Sequence, residues 1–250
     1  MSPHNTITFV ELVKALMLPC DKAYDLIAPK FNSTSFRTPD SILAGVAPHI
    51  GQAGTIGAAM DICCGTGAGI QMLLPLCTGR LVGIDISQGL LDIARTTISE
   101  NPNGASLEFI HGDVLDMAFD SEFDLAVCFG AMSHITSKHQ DQFLQAVYRA
   151  LRPGGRFLFV SYYKPKVWSF RYWYYRLFNV IVFLRNLLFH PPWCVGKLHY
   201  CLPKIIELLV NHGFEVQILN AFAGDLAYAK LVSARKTTSR ACGFPGRTGP

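Results

Sequence analysis

The chain has 250 residues, half of them hydrophobic and 16% charged, with a formal net charge of +4. That composition excludes global disorder and supplies a packed core for one domain carrying a small lid. The weak, scattered positive charge excludes an electrostatic nucleic-acid footprint. Eight cysteines with no CxxC pair and no Cys/His finger spacing exclude a zinc module.

In chain order, the first periodic segment is a helix over 8–17, with Phe9, Leu12, Val13 and Leu16 on one face and Pro19 as its stop. A second helix reads over 20–28, a polar turn region over 33–39, and a third helix from Asp40 to 47. From 58 onward short apolar runs alternate with amphipathic ones. Strands are predicted at 58–63, 81–85, 107–110, 125–129 and 156–161, and helices at 70–76, 88–99 and 140–151. Pro153-Gly154-Gly155 reads as a turn. After an aromatic insertion come a helix at 203–211 closed by Gly213, and strands at 214–219 and 226–234 whose short connection predicts an antiparallel edge hairpin.

Strands alternating with helices predict an α/β fold, doubly wound and Rossmann-like. Its sheet is mostly parallel and seven-stranded with an antiparallel last strand, N-terminal helices and a helical lid insertion. The chain divides into an N-terminal helical cap (1–57), a core (58–161), a lid insertion (162–200), a C-terminal helix and hairpin (201–234) and a disordered tail (235–250). No basic-then-apolar leader with a cleavage site opens the chain, and the cysteines sit in apolar segments. The expectation is a cytoplasmic protein in a reducing compartment.

The stretch Asp61-Ile62-Cys63-Cys64-Gly65-Thr66-Gly67-Ala68-Gly69 lies between a predicted strand and a predicted helix. Glycines there let the backbone approach a ligand, and the helix start offers free N–H groups. Asp61 at the strand end would repel a pyrophosphate and attract an amine. Ile70 replaces the last glycine of the dinucleotide form GxGxxG. Asp85 falls 20 residues after Gly65, where a ribose diol is held at the carboxyl edge of such sheets. Asp113, beside the Val114 N–H, is placed to accept from an adenine amine. Asp85 as a helix cap and Asp113 as a turn residue are the structural alternatives.

With Gly83-Ile84-Asp85-Ile86-Ser87, Gly112-Asp113, Phe123-Asp124-Leu125-Ala126-Val127 and Leu151-Arg152-Pro153-Gly154-Gly155, this pattern resembles the class I S-adenosylmethionine-dependent methyltransferases of the small-molecule type, over about 24–234. The resemblance implies S-adenosyl-L-methionine as cofactor and S-adenosyl-L-homocysteine as product. It places Asp61 and Gly65 at the methionine end, Gly67 in the turn, Asp85 on the ribose, Ile86 and Val114 around adenine, Asp113 at its amine and Phe129 beneath the methionine end. Tyr24 matches an N-terminal tyrosine that touches the cofactor. Cys63 departs from the family, which more often has glycine there, and its thiol would crowd the cofactor slightly.

Methyl transfer needs proximity and, for an O–H or N–H acceptor, a base. His134 is the best-placed base, against a structural role for the same histidine; Tyr162, His199 and Tyr200 are candidates for the acceptor pocket. On a helical wheel Trp173, Leu177, Val180, Leu184, Leu187 and Leu188 of the insertion share one face, and Arg171, Arg176, Asn179, Arg185 and Asn186 the other. Three arginines disfavour a span. The favoured reading is a lid packed on the sheet and N-terminal helices; the alternatives are an aromatic acceptor pocket, peripheral membrane contact or a homo-oligomer surface. DNA methylation is disfavoured: Cys128-Phe129-Gly130-Ala131 stands where an amino-methylating enzyme has Asp/Asn-Pro-Pro-aromatic, and Cys128 lacks the preceding proline of a Pro-Cys nucleophile. The expected function is methylation of a lipophilic small molecule at N or O, an aromatic, indolic or terpenoid natural product. The alternatives are a quinone or lipid-precursor methyltransferase at a membrane, and a non-catalytic regulatory or assembly protein that binds the cofactor. No metal is implied.

Overall fold

The computed structural model describes residues 6–34, 36–98, 103–188, 198 and 201–238. Candidate residues His199 and Tyr200, and most of the predicted tail, lie outside them. Helices α1 (Phe9–Met17), α2 (Cys20–Ile27) and α3 (Asp40–Val46) precede the sheet. Thr8 and Glu11 form a reciprocal capping box at the start of α1. The core then runs β1 (Ile56–Ile62), α4 (Ala68–Leu73), β2 (Cys77–Asp85), α5 (Gln88–Thr97), β3 (Ser106–His111), β4 (Phe123–Cys128), α6 (Gln140–Ala150) and β5 (Leu151–Tyr163). The insertion forms α7 (Phe170–Leu188). The chain continues through β6 (Cys201–Leu202), α8 (Lys204–Asn211), β7 (Phe214–Leu219) and β8 (Ala229–Lys236).

The strand order is β3-β2-β1-β4-β5-β8-β7, with β6 beside β5. All pairs are parallel except β5–β8 and β7–β8. The described sheet has eight strands rather than seven. The extra one is two residues long, too short to leave a periodic signal, and pairs Tyr162 with Cys201 and Tyr163 with Leu202. The glycine turn at 153–155 also proved to lie inside β5. Leu151 pairs with Phe123, the register slips, and Arg156 pairs with Leu125. A Cβ on Gly155 would stand 3.0 Å from the Phe123 carbonyl, so glycine permits that close passage.

Central strands are buried on both faces, as parallel sheets require. One face buries Met60, Ile62, Ala126 and Phe157 against Phe143, Leu144 and Val147 of α6 and Ile205 and Leu209 of α8. The other buries Leu81, Leu125 and Val127 against Val46, Ile70, Leu73 and Leu91. A third cluster joins Ala15, Ala23, Ile27 and Phe31 to Leu90 of α5, and so docks the N-terminal helices on the edge of the core. The strand order turns back at β1, whose neighbours are β2 and β4. The crevice outside the carboxyl ends of those strands is where a doubly wound sheet holds a ligand.

Helix α7 breaks the pattern. None of its 19 residues is buried. Trp173, Leu177, Val180, Leu184, Leu187 and Leu188 are all exposed. Tyr172, Tyr175, Phe178, Asn179, Val182, Arg185 and Asn186 are the half-covered ones. The face predicted to pack on the protein therefore points outward. No described helix is long and apolar enough to cross a membrane.

Candidate active site

A cavity of about 230 Å³ lies at that turn-back point. Asp61, Gly65, Asp85, Ile86, Asp113, Val114, Phe129, Tyr24 and His134 all line it. Gly67 sits just behind the wall and starts α4 in the left-handed conformation, φ +85°. A Cβ there would meet Ile98 Cδ1 at 2.4 Å, so strain and space both call for glycine. Gly65 is also left-handed, φ +55°.

Asp61, the penultimate residue of β1, is 3% exposed. Burial, then the nearby Asp85 charge, pushes its pKa up to about 8, and only the Ile70 N–H works the other way. Gly69 makes room for it: a Cβ at that position would lie 2.3 Å from Asp61 Oδ2. A buried carboxylate with no cation beside it among the described residues is short of one positive charge, which the ammonium of an amino-acid-like ligand would supply.

Asp85 Oδ2 accepts from Gly65 N–H at 2.8 Å and Oδ1 from Ser87 N–H at 2.9 Å. It therefore ties the glycine loop to the start of α5. Burial raises its pKa, against the Ser87, Gly65 and Ile86 N–H groups. The cap itself is Ser87, whose hydroxyl accepts from Leu90 N–H. Each carboxylate oxygen of Asp85 retains acceptor capacity for a diol. Asp113 Oδ1 accepts from Leu115 N–H at 2.9 Å, so its turn role and its place in the cavity coexist.

The N-terminal cap closes the opposite wall. Asp25 Oδ1 accepts from Ser87 Oγ at 2.7 Å and Gly89 N–H at 2.9 Å. Burial pushes its pKa up, but Gly89, Ser87 and Lys22 outweigh that and lower it. Thr66 Oγ1 donates to Asn32 Oδ1 at 2.6 Å, and Thr38 Oγ1 to the Phe129 carbonyl at 3.1 Å. Tyr24 Oη lies 3.1 Å from His134 Nε2, and Cys20 Sγ lies 3.9 Å from Nδ1. Burial raises the Tyr24 pKa far above its ordinary value, so the phenol stays protonated.

Tyr162 is not among the cavity residues. It packs near Tyr175 and Tyr228, with ring centroids 6.0 and 6.5 Å away. Cys20, Phe36, Arg37, Thr38 and His139 line the cavity without having been picked out from sequence. None sits in a motif; docking of the cap brings Cys20, Phe36, Arg37 and Thr38, and the turn that starts α6 brings His139. Cys63 lines the cavity and has φ +58°, a left-handed conformation that glycine adopts without strain. The Cys63 thiol is pushed up by its hydrogen bond with the Cys128 thiol and by burial, and Cys64 by burial. Neither is a thiolate nucleophile at neutral pH. Among the described residues no His/Cys/Asp/Glu group is arranged to hold a metal.

Residues 59–155 match the family model described as a methyltransferase domain. The chain is 32% identical over 111 residues to a demethylmenaquinone methyltransferase of Symbiobacterium thermophilum, covering 42% of this chain and 43% of that one. It is 28% identical over 184 residues to one of Oceanobacillus iheyensis, covering 68% and 74%. It spans about half the length of further relatives bearing that name. Among solved structures, DhpI with S-adenosylhomocysteine superposes with TM-score 0.64 at 16% identity, over 93% of this chain and all of that one. The mitomycin 7-O-methyltransferase MmcR does so with TM-score 0.61 at 17% identity, over 86% and 58%.

Proposed function

We propose that the chain is a class I S-adenosylmethionine-dependent methyltransferase that transfers a methyl group to a lipophilic small molecule, a reading supported by the methyltransferase-domain match over residues 59–155. The observation that carries this is the meeting in one cavity of two buried carboxylates, Asp61 and Asp85, with apolar walls and His134. The cofactor, when bound, supplies a methyl group activated by a sulfonium. In this reading Asp61 holds its amino group, Asp85 its ribose hydroxyls, and Ile86, Asp113 and Val114 its adenine. Phe129 and Tyr24 close the methionine end. His134 takes the acceptor proton where the acceptor is an O–H or N–H, and Tyr24 orients the imidazole through Nε2.

A quinone or lipid-precursor acceptor is the second reading, favoured by the names of the curated relatives. Calorimetry with S-adenosylmethionine tests the donor assignment: the wild type binds and Asp85→Ala does not. Unchanged binding by that variant would remove the assignment. Labelled cofactor with a reduced quinone, and separately with a lipophilic metabolite extract, tests the acceptor by mass of the product. Cofactor binding with no methylated product in either arm would favour a binding protein over an enzyme. His134→Ala is expected to lower turnover about 100-fold or more while leaving cofactor affinity within a few-fold. Turnover unchanged across pH would leave His134 as a structural partner of Tyr24.

A further inference from the structure

Helix α7 presents its apolar side to solvent. Phe170 is 86% exposed, Leu188 74% and Trp173 63%, with Leu177, Ile181 and Leu184 between them. An amphipathic helix seated on a core does the reverse. Nor is α7 alone. Arg185 Nε donates to the Leu16 carbonyl at 2.7 Å, so the end of α1 abuts α7. Phe9, Val10 and Met17 of α1 are exposed too. Leaving this much aromatic and aliphatic surface in water is costly, and monomers rarely do it without an occupant.

The charge around the face selects the occupant. Residues 162–200 contain six Lys or Arg and no Asp or Glu. Lys164 and Lys166 are exposed just before α7, and Arg176 lies on it. Glu11, the acid nearest along α1, is neutralised by Lys30 at 2.8 Å. A two-fold dimer through this face would set the cationic patch against itself, because an isologous interface meets its own surface. An anionic bilayer offers what the face lacks: hydrocarbon for Phe170 and Leu188, a headgroup zone for Trp173 and Tyr174, and negative charge for the lysines and Arg176. No described helix is apolar enough to span, so the contact lies in the interface plane. We propose that α7 and α1 form a peripheral docking surface for membranes containing anionic lipid. Helix α2 packs against α1 and contributes Cys20 and Tyr24 to the cavity wall, so docking sets the cavity mouth close to the bilayer.

The surface is separate from the cofactor residues, so its test does not depend on methyl transfer. The full chain would be sedimented with phosphatidylcholine vesicles, and with the same vesicles containing phosphatidylglycerol. Binding to the second, weakened by salt and accompanied by a blue shift of tryptophan emission, is expected. Trp173→Ser with Leu177→Ser and Leu184→Ser should weaken it by roughly tenfold or more. These side chains are already in water, so the melting temperature and cofactor binding should hold. Lys164→Gln with Lys166→Gln and Arg176→Gln should remove the preference for phosphatidylglycerol. No binding to either vesicle, or binding indifferent to both variants, would overturn the proposal. So would a wild-type dimer that becomes monomeric in the serine variant without vesicle binding, which would make the face a self-interface.

Discussion

Burial holds the Asp61 carboxyl up to about 8, so at neutral pH it is largely protonated until a cation arrives. The acid's pKa is raised on folding, so the folded state binds a proton that the unfolded chain has lost above the ordinary carboxylate range. Its contribution to stability therefore falls as pH climbs from about 4 to about 8, and is level beyond. Binding an ammonium reverses this. S-adenosylmethionine should release close to one proton at pH 7, measurable by calorimetry in buffers of different ionisation enthalpy. The rise in melting temperature on adding cofactor should grow with pH up to about 8. Asp61→Asn should flatten both responses. Gly69→Ala tests the same carboxylate indirectly. Its Cβ would lie 2.3 Å from Asp61 Oδ2, and Gly69 has no positive φ to strain. It should weaken cofactor binding about 10- to 100-fold, the worth of a charged hydrogen bond. A wild-type affinity would mean that Asp61 moves without consequence.

Asp25 shows what the elements add. One carboxylate oxygen from α2 takes the Ser87 hydroxyl and the Gly89 N–H, so a helix outside the core completes the start of α5. Asp25→Ala should cost about 1–2 kcal/mol in chemical denaturation and also weaken cofactor binding, because Ser87 and Asp85 share that turn. Loss of stability with affinity intact would confine Asp25 to capping. Such partnerships are hard to see in a linear chain. The glycine loop and Asp85 are legible because turn chemistry and strand periodicity are local. Asn32, Thr38 and Asp25 act across the gap between cap and core, and nothing beside them in sequence marks it. Helix α7 fails differently. A wheel reports that Trp173, Leu177 and Leu184 share a face, but not what that face meets. The helix is where periodicity puts it, and the face is turned the other way.

At the scale of the whole molecule, the doubly wound, mostly parallel class was readable from the alternation of runs, and the antiparallel last strand from its short connection to the strand before it. The two-residue β6 was not. The place of β8 carries a consequence for how the sheet is completed. Residues 229–236 slot between β5 and β7, pairing with Arg156–Tyr162 on one side and Phe214–Leu219 on the other. The last of the described strands in chain order is therefore an interior one. Until it arrives, β5 shows a bare edge of buried-type residues, including Phe157, Leu158 and Phe159. Ending the chain after Thr238 should leave a soluble fold, whereas ending it after Ala227 should leave a sheet that recruits other chains. Turbidity and size-exclusion profiles of the two truncations would show whether aggregation begins only once that strand is lost.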